Sequence, residues 1–206
     1  IHIKDVQSWA NYIDKQVEIA YAAKKRDAIS QNFGMLASAP YTDTVSEICV
    51  TIGRDLDNEQ PVTVRFNSKD YIHAFILGQS GSGKSVLLNN IITSAILKYS
   101  PEDLVLYLMD FKGVEFNKYK GLKHTKAVLV DNSDPQMTLE VLRELKEENK
   151  RRTTLWRQAG VSNIDGYNIR NPQNKMPQIL FVADECQVMF KTPSGNSMLM
   201  QVQREI

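Results

Sequence analysis

The octapeptide Gly78-Gln79-Ser80-Gly81-Ser82-Gly83-Lys84-Ser85 constrains this chain more than any other stretch. It fits G-x-x-x-x-G-K-[ST], and its setting is as informative as the pattern. The apolar run Ile72–Leu77 precedes it and reads as a short buried strand. Ser85–Tyr99 follows as a helix with Leu88, Ile91, Ile92, Ala95 and Ile96 on one face, stopped by Pro101. Glycines let the backbone turn tightly enough for consecutive amides to face one anion, and the helix adds its positive end. The sequence thus predicts a phosphate-binding loop, a P-loop, formed by Gly78, Gln79, Ser80, Gly81, Ser82, Gly83, Lys84, Ser85 and Val86. In it Lys84 reaches the β- and γ-phosphates of ATP, and Ser85 offers its hydroxyl to Mg²⁺.

The run Ile179-Leu180-Phe181-Val182-Ala183 ends in Asp184-Glu185. An apolar strand that delivers carboxylates at its carboxyl end places them where ligands of open α/β sheets bind. Asp184 is expected to hold Mg²⁺ through water, and Glu185 to orient and polarise the attacking water. A bend at the strand end would direct both side chains to the phosphate. The expected catalytic residues are therefore Lys84 and Glu185, and the expected metal residues Ser85 and Asp184. The positive charge facing the γ-phosphate is expected from a neighbouring subunit, as an arginine that the sequence does not single out.

Between these two motifs, Leu104–Met109 and Ala127–Val130 read as strands, the first apolar throughout as in a sheet covered on both faces. Asp134-Pro135 reads as an N-cap and first helical residue of a helix reaching about Gln158. Alternating strands and helices predict an α/β fold with a mostly parallel, doubly wound sheet. Upstream, residues 5–28 have helical spacing of Val6, Trp9, Ile13, Val17 and Tyr21, and the terminal Lys24-Lys25-Arg26 reads as a solvated helix end. Ile48–Ile52 and Pro61–Phe66 flank turn residues and read as a β-hairpin. The expected division is an appendage over 1–47 and an ATPase domain over 48–206.

Composition excludes several alternatives. Of 206 residues, 10 are Gly, 7 Pro and 2 Cys, which rules out collagen-like, disordered and disulfide-stapled chains. No apolar run approaches the ~18 residues of a membrane span, and Ile1–Asp5 contains no signal core. Cys49, Cys186 and three histidines show no zinc spacing, so reduced thiols and a cytoplasmic setting are expected. Lys and Arg number 25 against 24 Asp and Glu, a net charge of +1, which gives no global nucleic-acid footprint.

Further stretches carry a family resemblance. His73-Ala74-Phe75-Ile76-Leu77 resembles the "HLLVAG" entry to the P-loop of FtsK/SpoIIIE motor ATPases, and Leu108–Glu115 resembles their "IDPKGGE". Glu148–Arg152 with Ala159–Asn168 resembles "EMERRY…GVRNIxGYN", and Asp184-Glu185 their Walker B pair. The resemblance covers about Cys49 to Ile206. Departures at Phe111, Val114, Asn149, Thr153 and Cys186 mark a divergent branch and remove no catalytic group.

The resemblance implies a RecA-like ATPase domain, truncated at its C-terminal end, that binds ATP and Mg²⁺. It also implies a homo-oligomeric, hexameric ring that moves double-stranded DNA. A membrane anchor or a DNA-reading winged helix would lie outside this stretch. A type VII secretion ATPase of the EssC kind, acting on a secreted protein, shares these motifs, and a nucleotide-binding scaffold is a third reading. Two details stay open. Asp110, Lys112 and Glu115 leave a strand end beside the nucleotide crevice, where the resemblance implies a role in relaying nucleotide state. The stripe Leu142, Leu145, Asn149, Arg152, Trp156 turns polar midway, either because Asn149 and Arg152 face a polar junction or because the apolar face of a surface helix ends.

Overall fold

The computed structural model describes residues 47–186, apart from 56, 59, 68–71, 80 and 131–134, together with Lys15. The helix expected over residues 5–28 therefore lies outside the described residues, save for Lys15, which is helical and exposed. Strands β1 (Ile48–Arg54) and β2 (Pro61–Phe66) pair antiparallel, with Ile48 opposite Phe66, Val50 opposite Val64 and an irregularity between Thr51 and Gly53. The Asp55 carboxylate closes the turn, accepting from the backbone N–H groups of Asp57 and Asn58 at 2.9 and 3.1 Å.

Helix α1 (Lys84–Lys98) follows the P-loop. Strands β3 (Leu104–Asp110), β4 (Thr125–Leu129) and β5 (Gln178–Asp184) form a parallel sheet in the order β4-β3-β5. Between β4 and β5 run the long helix α2 (Pro135–Gln158) and the short helix α3 (Ile164–Arg170). Central β3 is covered on both faces, which explains its unbroken apolar sequence. Leu104, Leu106 and Leu108 join Leu180 and Val182 beneath Ile91, Ile92, Ala95 and Ile96 of α1. On the opposite face Met109, Phe111 and Leu129 pack against Val141 and Leu142 of α2.

The hairpin is part of this core. Ile48 and Val50 pack in the same cluster as α1. Thr51 donates its backbone N–H to Ser94 Oγ at 3.0 Å, and Cys49 donates its own to the Tyr99 hydroxyl at 2.7 Å. α1 is thus held between hairpin and sheet, and Ile91 through Leu97 are buried without a break. One face was expected to be buried, and the hairpin covers a second.

One expectation needs correction. Residues 72–77 form no strand; Ile72, Phe75 and Leu77 are exposed, and only Ile76 reaches the core. Apolar alternation makes a segment competent to pair, but a strand also needs a neighbour's free backbone groups. Among the described residues no strand pairs with this segment, and β5 is paired with β3 alone.

Candidate functional site

The P-loop emerges where the chain enters α1. Ser82 N–H donates to the Gln79 carbonyl at 3.1 Å, closing a turn, and Gly81 and Gly83 take φ of 79° and 92°. Gly83 is the N-cap of α1. It brings no capping side chain, and the first turn contains no acidic residue. The leading amides are therefore left for an external anion. Lys84 and Ser85 occupy the first two helical positions, and Val86 is exposed beside them. Ser80 lies outside the described residues.

β5 delivers the carboxylates. Asp184 is its last residue and is 5 % exposed. Its Oδ2 lies 3.4 Å from the hydroxyl of Ser85, which donates to it. Its Oδ1 accepts the backbone N–H of Glu185 at 2.9 Å. Burial raises the Asp184 pKa above the ordinary carboxylate value, and the charges of Glu185 and Asp110 add to the rise. The Glu185 N–H and the charge of Lys84 oppose it. A carboxylate in this setting gains from a cation. Glu185 follows with φ of 53°, left-handed geometry that costs a non-glycine residue about 1 kcal/mol. The chain thus leaves extended geometry at the end of β5.

Asp110 ends β3 directly opposite Asp184. Its role is different, because its oxygens are already taken. Oδ1 accepts the N–H groups of Lys112 and Gly113, both at 3.0 Å, and Oδ2 those of Glu115 and Phe116 at 2.5 and 3.2 Å. Asp110 is thus spent on folding its own loop. Of the two facing carboxylates, Asp184 is the one suited to a metal.

Ser85 and Asp184 suit magnesium: both offer oxygen, and together they present one hydroxyl and one carboxylate. Among the described residues there is no cluster of three or more His, Cys, Asp or Glu side chains fit for a metal, so any ion here would complete its shell with phosphate and water.

The stretches Glu148–Arg152 and Ala159–Asn168 lie elsewhere. Arg152, 8 % exposed, donates from Nε to Glu148 at 2.7 Å and from Nη1 to the Pro177 carbonyl at 2.7 Å. Asn168 exchanges two hydrogen bonds with the backbone of Met176, at 2.8 and 2.9 Å. Both side chains grip the segment that enters β5. Arg152 thus meets polar groups within the subunit, Glu148 and the Pro177 carbonyl, while Asn149 is exposed. These residues position the strand that carries Asp184 from its far end.

Sequence reasoning missed Asn89. It lies one turn beyond Ser85, and its Nδ2 donates to the Ser85 carbonyl at 2.8 Å. The available signal was a polar residue four positions from Ser85, one helical turn on and so on the same face.

Comparison with known proteins identifies the family and the fold. Residues 34–203 match the FtsK/SpoIIIE family. The DNA translocase FtsK of Halalkalibacterium halodurans is 34% identical over 158 residues, covering 72% of this chain and 19% of its own length. That of Staphylococcus aureus strain Mu50 is 35% identical over 145 residues, covering 66% and 18%. The chain thus spans about one fifth of the length of these relatives. Among solved structures, the cytoplasmic domain of the Thermomonospora curvata type VII secretion ATPase EccC superposes with a TM-score of 0.64 at 24% identity, over 80% of this chain and 20% of that one. The pCW3 conjugation coupling protein TcpA, solved as a monomer with ATPγS, gives 0.61 at 25%, over 81% and 46%. The fold is that of P-loop ATPase domains, and the chain belongs to the FtsK/SpoIIIE family.

Proposed function

We propose that this chain is the nucleotide-hydrolysing part of a motor that drives double-stranded DNA through an oligomeric, hexameric ring. The observation that carries the reading is the meeting of Ser85 and Asp184 at the mouth of an uncapped helix. The FtsK relatives, named as DNA translocases, supply the substrate. Residues 78–86 bind the phosphates of ATP, with Lys84 against the β- and γ-phosphates. Ser85 and Asp184 hold Mg²⁺, which when bound neutralises charge on the phosphates. Glu185 orients the attacking water and takes up its proton. An arginine of a neighbouring copy completes the site, so hydrolysis depends on assembly. No helix among the described residues is long and apolar enough to cross a membrane. We place the domain in the cytoplasm, where ATP is available and where Cys49 and Cys186, free thiols here, stay reduced.

The test is ATP hydrolysis by the assembled protein with and without duplex DNA. Stimulation by DNA is expected, Lys84→Ala should abolish nucleotide binding or hydrolysis, and Glu185→Gln should bind ATP and stall. Wild-type turnover by Glu185→Gln would remove Glu185 from its role. The likeness to EccC favours a second reading, a secretion ATPase. Stimulation by a secreted protein and indifference to DNA would select it.

A further inference from the structure

The loop after β3 is fastened to the P-loop helix through one side chain. Asn89 Nδ2 donates to the Ser85 carbonyl at 2.8 Å and to Glu115 Oε2 at 3.1 Å, while Asn89 Oδ1 accepts the Tyr119 hydroxyl proton at 2.7 Å. These three contacts fix the orientation of the amide. Turning it over would set its oxygen against two acceptors, the Ser85 carbonyl and Glu115 Oε2, and would take from the Tyr119 hydroxyl its 2.7 Å acceptor. Each partner is itself held. Asp110, in register with Asp184, gathers the backbone N–H of Glu115 at 2.5 Å. Tyr119 is fully buried, with Thr93 Oγ1 of α1 3.3 Å from its hydroxyl. The ends of β3 and β5 and the first turns of α1 are therefore joined in one circuit: Asp184, Asp110, Glu115, Asn89, Ser85 and back to Asp184.

We infer that Asn89 and Glu115 are positioning residues for the nucleotide site, setting Ser85 against Asp184 by locking the β3 loop to the first turns of α1. This rests on the nucleotide reading of that site. The pair touches no phosphate. Its effect is on the geometry in which Ser85 and Asp184 share a cation, so it acts on Mg²⁺-nucleotide binding more than on binding of nucleotide alone.

The test is the affinity of the 206-residue chain for a fluorescent ADP, measured with Mg²⁺ and with EDTA. Asn89→Asp sets a carboxylate against Glu115 and against the Ser85 carbonyl. It is expected to weaken Mg²⁺-ADP binding about tenfold while changing Mg²⁺-free binding much less. Combining it with Glu115→Gln, whose amide can donate to the new carboxylate, is expected to restore most of the loss. A purely structural role would lower both affinities together with the melting temperature, and the double variant would bind no better than the single; that result overturns the inference. So does wild-type Mg²⁺-ADP affinity in Asn89→Asp. If Asn89→Asp does not fold, Glu115→Ala takes its place. It should lose the same Mg²⁺-dependent increment, and an unchanged increment overturns the inference. An unaltered chain that binds ADP in neither condition overturns the nucleotide site itself, a failure distinct from the others.

Discussion

Ser85 Oγ and Asp184 Oδ2, 99 residues apart in sequence, lie 3.4 Å apart where the P-loop helix begins and β5 ends. The contact is long for a hydroxyl–carboxylate hydrogen bond, whose usual span is about 2.5–3.0 Å. The hydroxyl therefore only partly compensates the buried carboxylate. Asp184→Asn keeps the shape and removes the charge. In EDTA at neutral pH this variant is expected to melt a few degrees above the unaltered chain, because an incompletely paired buried charge is costly. The gain should come with loss of the Mg²⁺-dependent increase in ADP affinity. A lower melting point would show that Asp184 is already fully compensated by its protein partners.

The loop that Asp110 folds also depends on Gly113. Its φ is 75°, and an added Cβ would overlap the Val130 carbonyl oxygen, a backbone atom that cannot move aside alone. Gly113→Ala is expected to cost roughly 2 kcal/mol or more in urea unfolding, from left-handed strain and the overlap together. Gly53 is the internal control. It has no positive φ, and nothing lies within 4 Å of an added Cβ. There alanine should be neutral or stabilising by about 0.5 kcal/mol. Equal costs at the two glycines would contradict the packing of the loop against β4.

What the sequence could and could not convey follows from the range of the forces involved. Leu104–Met109 read directly as a buried strand because burial on both faces writes itself into consecutive residues. Pro135–Gln158 read well because Pro135 marks its start locally. Ile72–Leu77 misled because strand formation needs a partner that periodicity does not encode. The meeting of Ser85 with Asp184 was legible because each closes a recognisable local pattern, a glycine-rich loop before a helix and an apolar strand ending in carboxylates. Asn89 was not, since its value lies in Glu115 and Tyr119 arriving from another loop. Arg152 was half legible: the stripe of α2 showed a polar interruption, but only the Pro177 carbonyl reveals what it meets.

That interruption can be tested through its acid dependence. Glu148 accepts from Arg151 Nε at 2.7 Å and Nη2 at 2.8 Å, and from Arg152 Nε at 2.7 Å. The Arg151 hydrogen bonds, followed by those and the charge of Arg152, outweigh burial and hold its carboxyl down at about 2. A carboxylate depressed on folding contributes stability that is present above its ordinary pKa and is lost as pH falls toward the folded value. The window therefore runs from about 4.5 down to about 2. Glu148→Gln is expected to lose about 2 kcal/mol at pH 7, the scale of hydrogen bonds to a charged partner. The difference should shrink as pH falls through that window, because the unaltered chain loses the same charge. Arg152→Lys retains the positive charge but cannot reach both Glu148 and the Pro177 carbonyl, so it should destabilise at every pH. Urea midpoints at pH 7, 4 and 3 separate the two. A Glu148→Gln deficit that stays constant with pH would mean that packing, and not charge, ties α2 to the start of β5.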